Sequence, residues 1–253
     1  MSILTEIIET KKKEVIKLKA EMIPAKERTA PLVSFINQFE QQPFQVIAEF
    51  KRASPSKGII NDTLDPVMQA KQYEQFGAGM ISVLTDKDYF KGTMADLIAV
   101  KQAVSIPVLN KEFIIDRIQL DIAYQSGADV VLLIVSALSE ADLIDLYHYA
   151  LSLGLEVLVE VHDKEELAIA TSLGCPLIGV NNRNLNTFKT SIDQTLQLLD
   201  FVDLSTTKII SESGMKTQAD VLAVKQAGAS GILVGETLMT QDPKRMMGDF
   251  LHD

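Results

Sequence analysis

An intramolecular disulfide is excluded at once, because Cys175 is the single cysteine in 253 residues. Such low cysteine use fits a reducing compartment. Absent too is any uninterrupted apolar stretch approaching the ~20 residues that a transmembrane helix needs. The N-terminal stretch MSILTEIIETKKKEVIKLKAEM is no secretory signal, since acids and lysines break every apolar segment. It predicts a charged amphipathic helix instead. Ile3, Leu4, Ile7, Ile8, Val15, Ile16 and Leu18 supply a ragged apolar side that packs on the protein rather than on a membrane. A soluble, cytoplasmic protein is expected. Basic charge is scarce: 24 Lys and Arg against 34 Asp and Glu leave a net −10. That balance argues against broad nucleic-acid binding but leaves room for a local basic pocket. Metal-ligand spacing is also missing. His148 falls in a helical pattern, His162 stands beside Asp163, and His252 belongs to the tail, so no metal or cofactor is expected. With no linker or low-complexity segment, one domain is expected over 1–253, with 1–43 as an N-terminal helical extension.

What the chain does have is repetition. From residue 44 onward eight short apolar runs alternate with helical patterns: 44–50, 80–85, 106–110, 129–135, 156–161, 177–180, 207–211 and 231–235. Most are continuous in Val, Ile and Leu, the pattern of parallel strands covered on both faces. Between them, FIIDRIQLDIAYQSG places Ile114, Ile118, Leu120, Ile122 and Ala123 on one broad helical side, and Ser139 stands at a cap position. The mean repeat of about 26 residues matches a (β/α)8 barrel, an α/β fold. An open doubly wound sheet is the alternative, but the early dinucleotide fingerprint is lacking. The N-terminal helix and PLVSFINQF (31–39) fall outside the repeat and are expected to cover the barrel's bottom.

In such barrels chemistry sits at the C-terminal strand ends. The first run ends with Glu49 and Lys51, which strand periodicity puts on one face. Later runs lead into Lys111, Glu160, Asn181 with Asn182 and Arg183, Glu212, and Gly235 with Glu236. Lys and Glu are rarely buried unpaired, so this cluster reads either as acid–base machinery or as a salt-bridged rim. Ser213 and Gly214 are expected just before one helix and Gly235 just before the next, where exposed amides attract phosphate. A phosphorylated small molecule is the expected partner, with neither nucleic acid nor membrane.

Taken in order, IAEFKRASPSKG, VLTDKDYFKG, VLNKEFIID, VLVEVHD, IGVNNRNL, SESG and LVGETLM resemble the indole-3-glycerol-phosphate synthase family over nearly the whole chain. That resemblance implies a barrel lyase, needing no metal, that acts on 1-(o-carboxyphenylamino)-1-deoxyribulose 5-phosphate. The substrate's ring closes, and carbon dioxide and water leave. It further implies Lys111 as general acid in ring closure and Lys51 near the anthranilate carboxylate, a second acid for dehydration. Glu160 and Glu49 would be the acid–base carboxylates, with Asn181 and Arg183 orienting substrate and Glu212 contacting it. Ser56, Ser213, Gly214, Gly235 and Glu236 would line the phosphate region, and Phe113, Leu132 and Leu233 the apolar walls. Glu112 and Asn184 stand where the family often has Asp. Relatives can be free-standing monomers, so a monomer is expected. Another phosphosugar barrel, or a barrel that binds a phosphometabolite without turning it over, remain the alternatives.

Overall fold

The computed structural model describes residues 2–21, 27–185 and 187–251; His252, expected in the tail, lies outside them. Eight strands follow one another: β1 (Gln45–Phe50), β2 (Met80–Leu84), β3 (Val108–Lys111), β4 (Val130–Ile134), β5 (Glu156–Val161), β6 (Leu177–Asn181), β7 (Lys208–Glu212) and β8 (Gly231–Val234). Each pairs in parallel with the next and β8 with β1, closing the barrel. All eight apolar runs thus become barrel strands, with ends shifted by at most two residues.

Alternation along each strand builds two cores. Val46 and Ala48 of β1, Val131 and Leu133 of β4, and Val157 and Val159 of β5 point outward into a layer shared with the helices. Ile47, Leu109, Leu132, Leu158, Ile210 and Leu233 point inward and fill the barrel. The inward set continues upward to Glu49, Lys111, Glu160 and Glu212, so the same parity that packs the core aims the charged groups at the mouth. Burying both faces explains why the strands read as continuous apolar runs.

Helices follow the strands: α3 (Pro66–Gln75), α4 (Met94–Ala103), α5 (Arg117–Gln125), α6 (Glu140–Ser152), α7 (Lys164–Ser172), α8 (Asp193–Leu199), α9 (Gln218–Gln226), α10 (Glu236–Thr240) and α11 (Pro243–Leu251). Asp65, Thr93, Asp116, Ser139, Asp163 and Thr217 each cap a helix by accepting a backbone N–H, so the cap expected at Ser139 is present. Because Asp116 is a cap, α5 starts later than its apolar pattern, and Ile114 is buried ahead of it.

The N-terminal segment divides, which corrects one expectation. Residues 31–39 do close the bottom: Phe35 is fully buried among the inward strand residues, and the Phe35 and Ile36 amides donate to Glu156 at the start of β5. α1 (Ile3–Ala20), however, lies across the opposite end. Its buried side carries Lys11 among Leu4, Ile7 and Val15, and Lys11 Nζ lies 2.7 Å from Asp86 and 3.0 Å from Glu112. Those carboxylates follow β2 and β3 at the mouth. A buried ammonium must go where its counter-charges are, so the helix caps the top. Among the described residues between α1 and β1 the helix is the short α2 (Gln38–Gln41), and the residues just before it form a strap.

Candidate active site

Lys111, last residue of β3, reaches across the mouth to two carboxylates. Its Nζ lies 3.4 Å from Glu160 Oε2 and in direct contact with Glu212 Oε2. Glu160 Oε1 also accepts from Asn181 Nδ2 at 3.0 Å and lies 3.3 Å from His162 Nε2. Asn181 is consumed on both ends, since its Oδ1 accepts from the Arg183 amide and the Ser213 hydroxyl, each at 3.0 Å. On the neighbouring wall Lys51 Nζ donates to Glu49 Oε1 at 2.6 Å.

The electrostatics separate the two carboxylates that share Lys111. Burial works against the charged form of both. For Glu160, Lys111, His162 and Asn181 outweigh that cost and bring its pKa down to about 2. For Glu212, burial wins with help from repulsion by Glu160 and Glu49, pushing it up to about 7 despite Lys111. One ammonium cannot neutralise two buried carboxylates, and the one with extra partners keeps its charge. Burial also opposes the Lys111 cation, yet Glu212, Glu160 and Glu49 together hold its pKa above the ordinary lysine value.

Two glycines make this packing possible. A Cβ on Gly235 would sit 2.4 Å from Glu49 Oε1 and 2.9 Å from Lys51 Nζ, and one on Gly179 would sit 2.0 Å from Glu212 Oε1. Gly235 caps α10 without a side-chain bond, as expected of a residue just before a helix. The other phosphate expectation needs correcting. Ser213 and Gly214 do not directly precede a helix, because α9 begins at Gln218 under a Thr217 cap. They form a left-handed turn instead, with φ of 65° and 90°. Asn182, buried below them, holds the turn by donating to the Ser213 carbonyl at 3.0 Å.

All fifteen residues singled out from the sequence line one cavity of about 520 Å³. Phe113, Leu132 and Leu233 give it apolar walls, while Ser56, Arg183, Ser213, Gly214, Gly235 and Glu236 gather toward the loops after β1, β6, β7 and β8. Five cations and five carboxylates face the cavity, so it is neutral in formal charge although the chain is strongly acidic. Arg183 Nη1 reaches Ser56 Oγ at 3.3 Å, joining two of the loops. The β1 loop is a small hairpin pairing Ala53–Ser54 with Gly58–Ile59, rooted by a two-pronged Arg52–Asp96 ion pair at 2.7 and 2.9 Å. Several wall residues were not expected at the site: Ile3, Leu4 and Ile7, read only as the apolar side of α1, and Leu185 and Phe188 of the β6 loop. His162 was also missed as a neighbour of Glu160. An acid and a His two residues apart at a strand end, with Glu166 four residues further on, was the available signal. Among the described residues no group of three His, Cys, Asp or Glu is arranged to hold a metal ion.

A closed eight-stranded parallel barrel with paired lysines and carboxylates converging in its C-terminal mouth defines an enzyme of the (β/α)8 class. Residues 4–249 match the family model described as indole-3-glycerol phosphate synthase. The chain belongs to that family. An indole-3-glycerol phosphate synthase of Exiguobacterium sibiricum is 52% identical over 239 residues, 94% of this chain and 92% of the relative. One from Bacillus cereus is 50% identical over 246 residues, 96% of this chain and 95% of the relative. Among solved structures, the N-acetylmannosamine-6-phosphate 2-epimerase of Clostridium perfringens superposes with a TM-score of 0.60 at 15% identity. That match covers 81% of this chain and 91% of the epimerase, and it speaks to the barrel fold alone.

Proposed function

We propose that the chain is a carboxy-lyase of tryptophan biosynthesis that converts 1-(o-carboxyphenylamino)-1-deoxyribulose 5-phosphate into indole-3-glycerol phosphate. The observation that carries this reading is the Lys111 ammonium, held charged between Glu160 and Glu212 in a cavity with apolar walls. In ring closure the aromatic carbon bearing the carboxylate attacks the ketone carbon. The C=O electron pair moves to oxygen, where Lys111 is the proton donor. The carboxylate then leaves as carbon dioxide, its bonding electrons returning to the ring. In dehydration an acid protonates the departing hydroxyl while a base takes a carbon-bound proton, and the paired Lys51 and Glu49, with Glu160, are the groups at hand. Losing an ionised carboxylate as carbon dioxide consumes one proton per turnover. The sequence is redox-neutral.

Phe113, Leu132 and Leu233 would sandwich the anthranilate ring, with Lys51 near its carboxylate. The turn at Ser213 and Gly214, the start of α10 at Gly235 and Glu236, Ser56 and Arg183 would receive the phosphate. Asn181 would orient substrate through its links to Glu160 and Ser213. We read the protein as one barrel domain over 1–253, acting as a monomer in the cytoplasm. Among the described residues no helix is long and apolar enough to cross a membrane.

Purified chain mixed with this substrate in the presence of a chelator is expected to give a rise in indole fluorescence as product forms. No product under those conditions would remove the reading's main support. Gly235→Val tests the phosphate placement. The larger side chain displaces the Glu49–Lys51 pair and crowds the start of α10. KM should rise at least about tenfold, the equivalent of ~1.4 kcal/mol of binding. An unchanged KM would move the phosphate elsewhere.

A further inference from the structure

The two carboxylates that share Lys111 differ in what stands behind them. Glu160 has donors on both oxygens, Lys111 at 3.4 Å on one and Asn181 at 3.0 Å on the other, and His162 Nε2 lies 3.3 Å from that second oxygen at ion-pair distance without a formed hydrogen bond. His162 does not line the active cavity. It faces a second, outer cavity of about 1180 Å³ and touches Glu160 from the rear. There its Nδ1 lies 3.1 Å from Glu166 Oε2, and its backbone N–H donates to the same oxygen at 2.8 Å. Glu9 and Lys12 of α1, Asp163, Lys189 and Asp193 line that outer cavity as well. Glu212 has no such support. Its Oε2 meets Lys111, while its buried Oε1 has no partner. The ionisable groups facing Glu212 are Lys111, Glu160 and Glu49.

We infer that Glu212 is the proton reserve that recharges Lys111 after ring closure, and that His162 is a positioning residue that keeps Glu160 from taking that role. The inference rests on the proposed reaction and adds a step to it. Once Lys111 has given its proton to the substrate oxygen, the neutral amine lies between two carboxyl groups. Glu160, backed by a cation and an amide, stays an anion. Glu212 enters the step as the acid: its O–H bond breaks, the Lys111 N–H bond re-forms, and an ammonium–carboxylate pair results. Water from bulk solvent then returns a proton to Glu212, supplying the one proton that decarboxylation uses up. An anion with partners on every oxygen is a poor store of protons, whereas a buried carboxyl with an unpartnered oxygen favours its neutral form.

Glu212 titrating near 7 predicts an alkaline limb in the wild-type kcat profile with its midpoint there. Glu212→Gln should lower kcat about tenfold and abolish that limb. The first turnover, which spends the proton Lys111 already holds, should slow by less than the steady state. A limb that survives in the variant overturns the inference, as does a first turnover slowed as much as kcat. A measurement on the wild-type chain stands beside this one and does not depend on the variant folding. His162, raised to about 10 because Glu160 and Glu166 outweigh its burial, should show both ring nitrogens protonated at pH 8 by nitrogen-15 NMR. A neutral His162 at pH 8 would end its part. Failure of the proposed reaction would be seen separately, as absence of product from the wild-type chain.

Discussion

Lys111→Met is expected to leave the barrel folded and to lower kcat by roughly 10²–10⁴, the range for loss of a positioned general acid. Met keeps the length of the side chain and the apolar contacts of its stem, so the loss falls on charge and proton. KM should change far less, because in the proposed reaction Lys111 acts on an oxygen whose charge grows only as the ring closes. The same substitution leaves Glu160 and Glu212 facing one another without their shared cation. Glu212, already raised by burial, then binds its proton more tightly still in the folded state than in the unfolded one, while Glu160 keeps His162 and Asn181. Stability contributed in that way is present at low pH and falls as pH rises through the folded-state values. The gap in Tm between variant and wild type should therefore widen from pH 5 to pH 8, as read by circular dichroism. A variant with wild-type kcat would remove Lys111 from the chemistry altogether.

Asp129→Ala should produce the largest loss of stability, at the opposite end of the barrel. Asp129 precedes β4 and is fully buried, with Arg28 Nη2 at 2.8 Å and Lys101 Nζ at 2.6 Å. Its oxygens also accept the Val33 amide at 3.0 Å and the Val108 amide at 2.9 Å. One carboxylate thus ties the strap before α2, helix α4 and strand β3 to the barrel's lower rim. Removing it leaves the buried Lys101 and two amides without this partner and leaves Arg28 with only backbone carbonyls to donate to. Breaking a buried pair by deleting one partner costs about 3–5 kcal/mol, which for a chain of this length lowers Tm by roughly 10 °C. Activity measured well below the transition should stay within a few-fold of wild type, since no group at that rim faces the active cavity. Unfolding midpoints in urea, compared at equal slope, would check this. A midpoint close to wild type would show that the strap is held by apolar contacts such as Phe35 rather than by charge.

Much of this architecture was legible because burial on both faces forces strands into unbroken Val, Ile and Leu runs, and eight such runs at one spacing leave few folds. The candidate site, as a set of residues lining one cavity, was legible for a related reason. Glu49, Lys111, Glu160 and Glu212 occupy the inward parity at strand ends, and only a mouth explains charge at such positions. Periodicity could not say which end of the barrel α1 covers. Its apolar face looked ragged because Lys11 sits in its middle, and the two carboxylates that settle its placement, Asp86 and Glu112, lie far away in sequence. The turn at Ser213 and Gly214 was mistaken for a helix start because glycine signals a turn without saying how soon the next helix begins. His162 was set aside because it lacked ligand spacing, though its partners Glu160 and Glu166 were only two and four residues away. Gly179 gave no signal either, since its need arises from the Glu212 side chain of the adjacent strand.

In the proposed reaction one cavity presents Lys111 to the ketone oxygen of a sugar phosphate whose phosphate rests near Gly214 and Gly235. A crystal structure of the chain with an unreactive analogue of the substrate, its ketone reduced to an alcohol, tests this most directly. The alcohol oxygen is expected within hydrogen-bond reach of Lys111 Nζ, the aromatic ring between Phe113 and Leu132, and the phosphate at the amides of the β7 and β8 loops. An analogue seated in the outer cavity beside His162, or one with its alcohol turned away from Lys111, would contradict it.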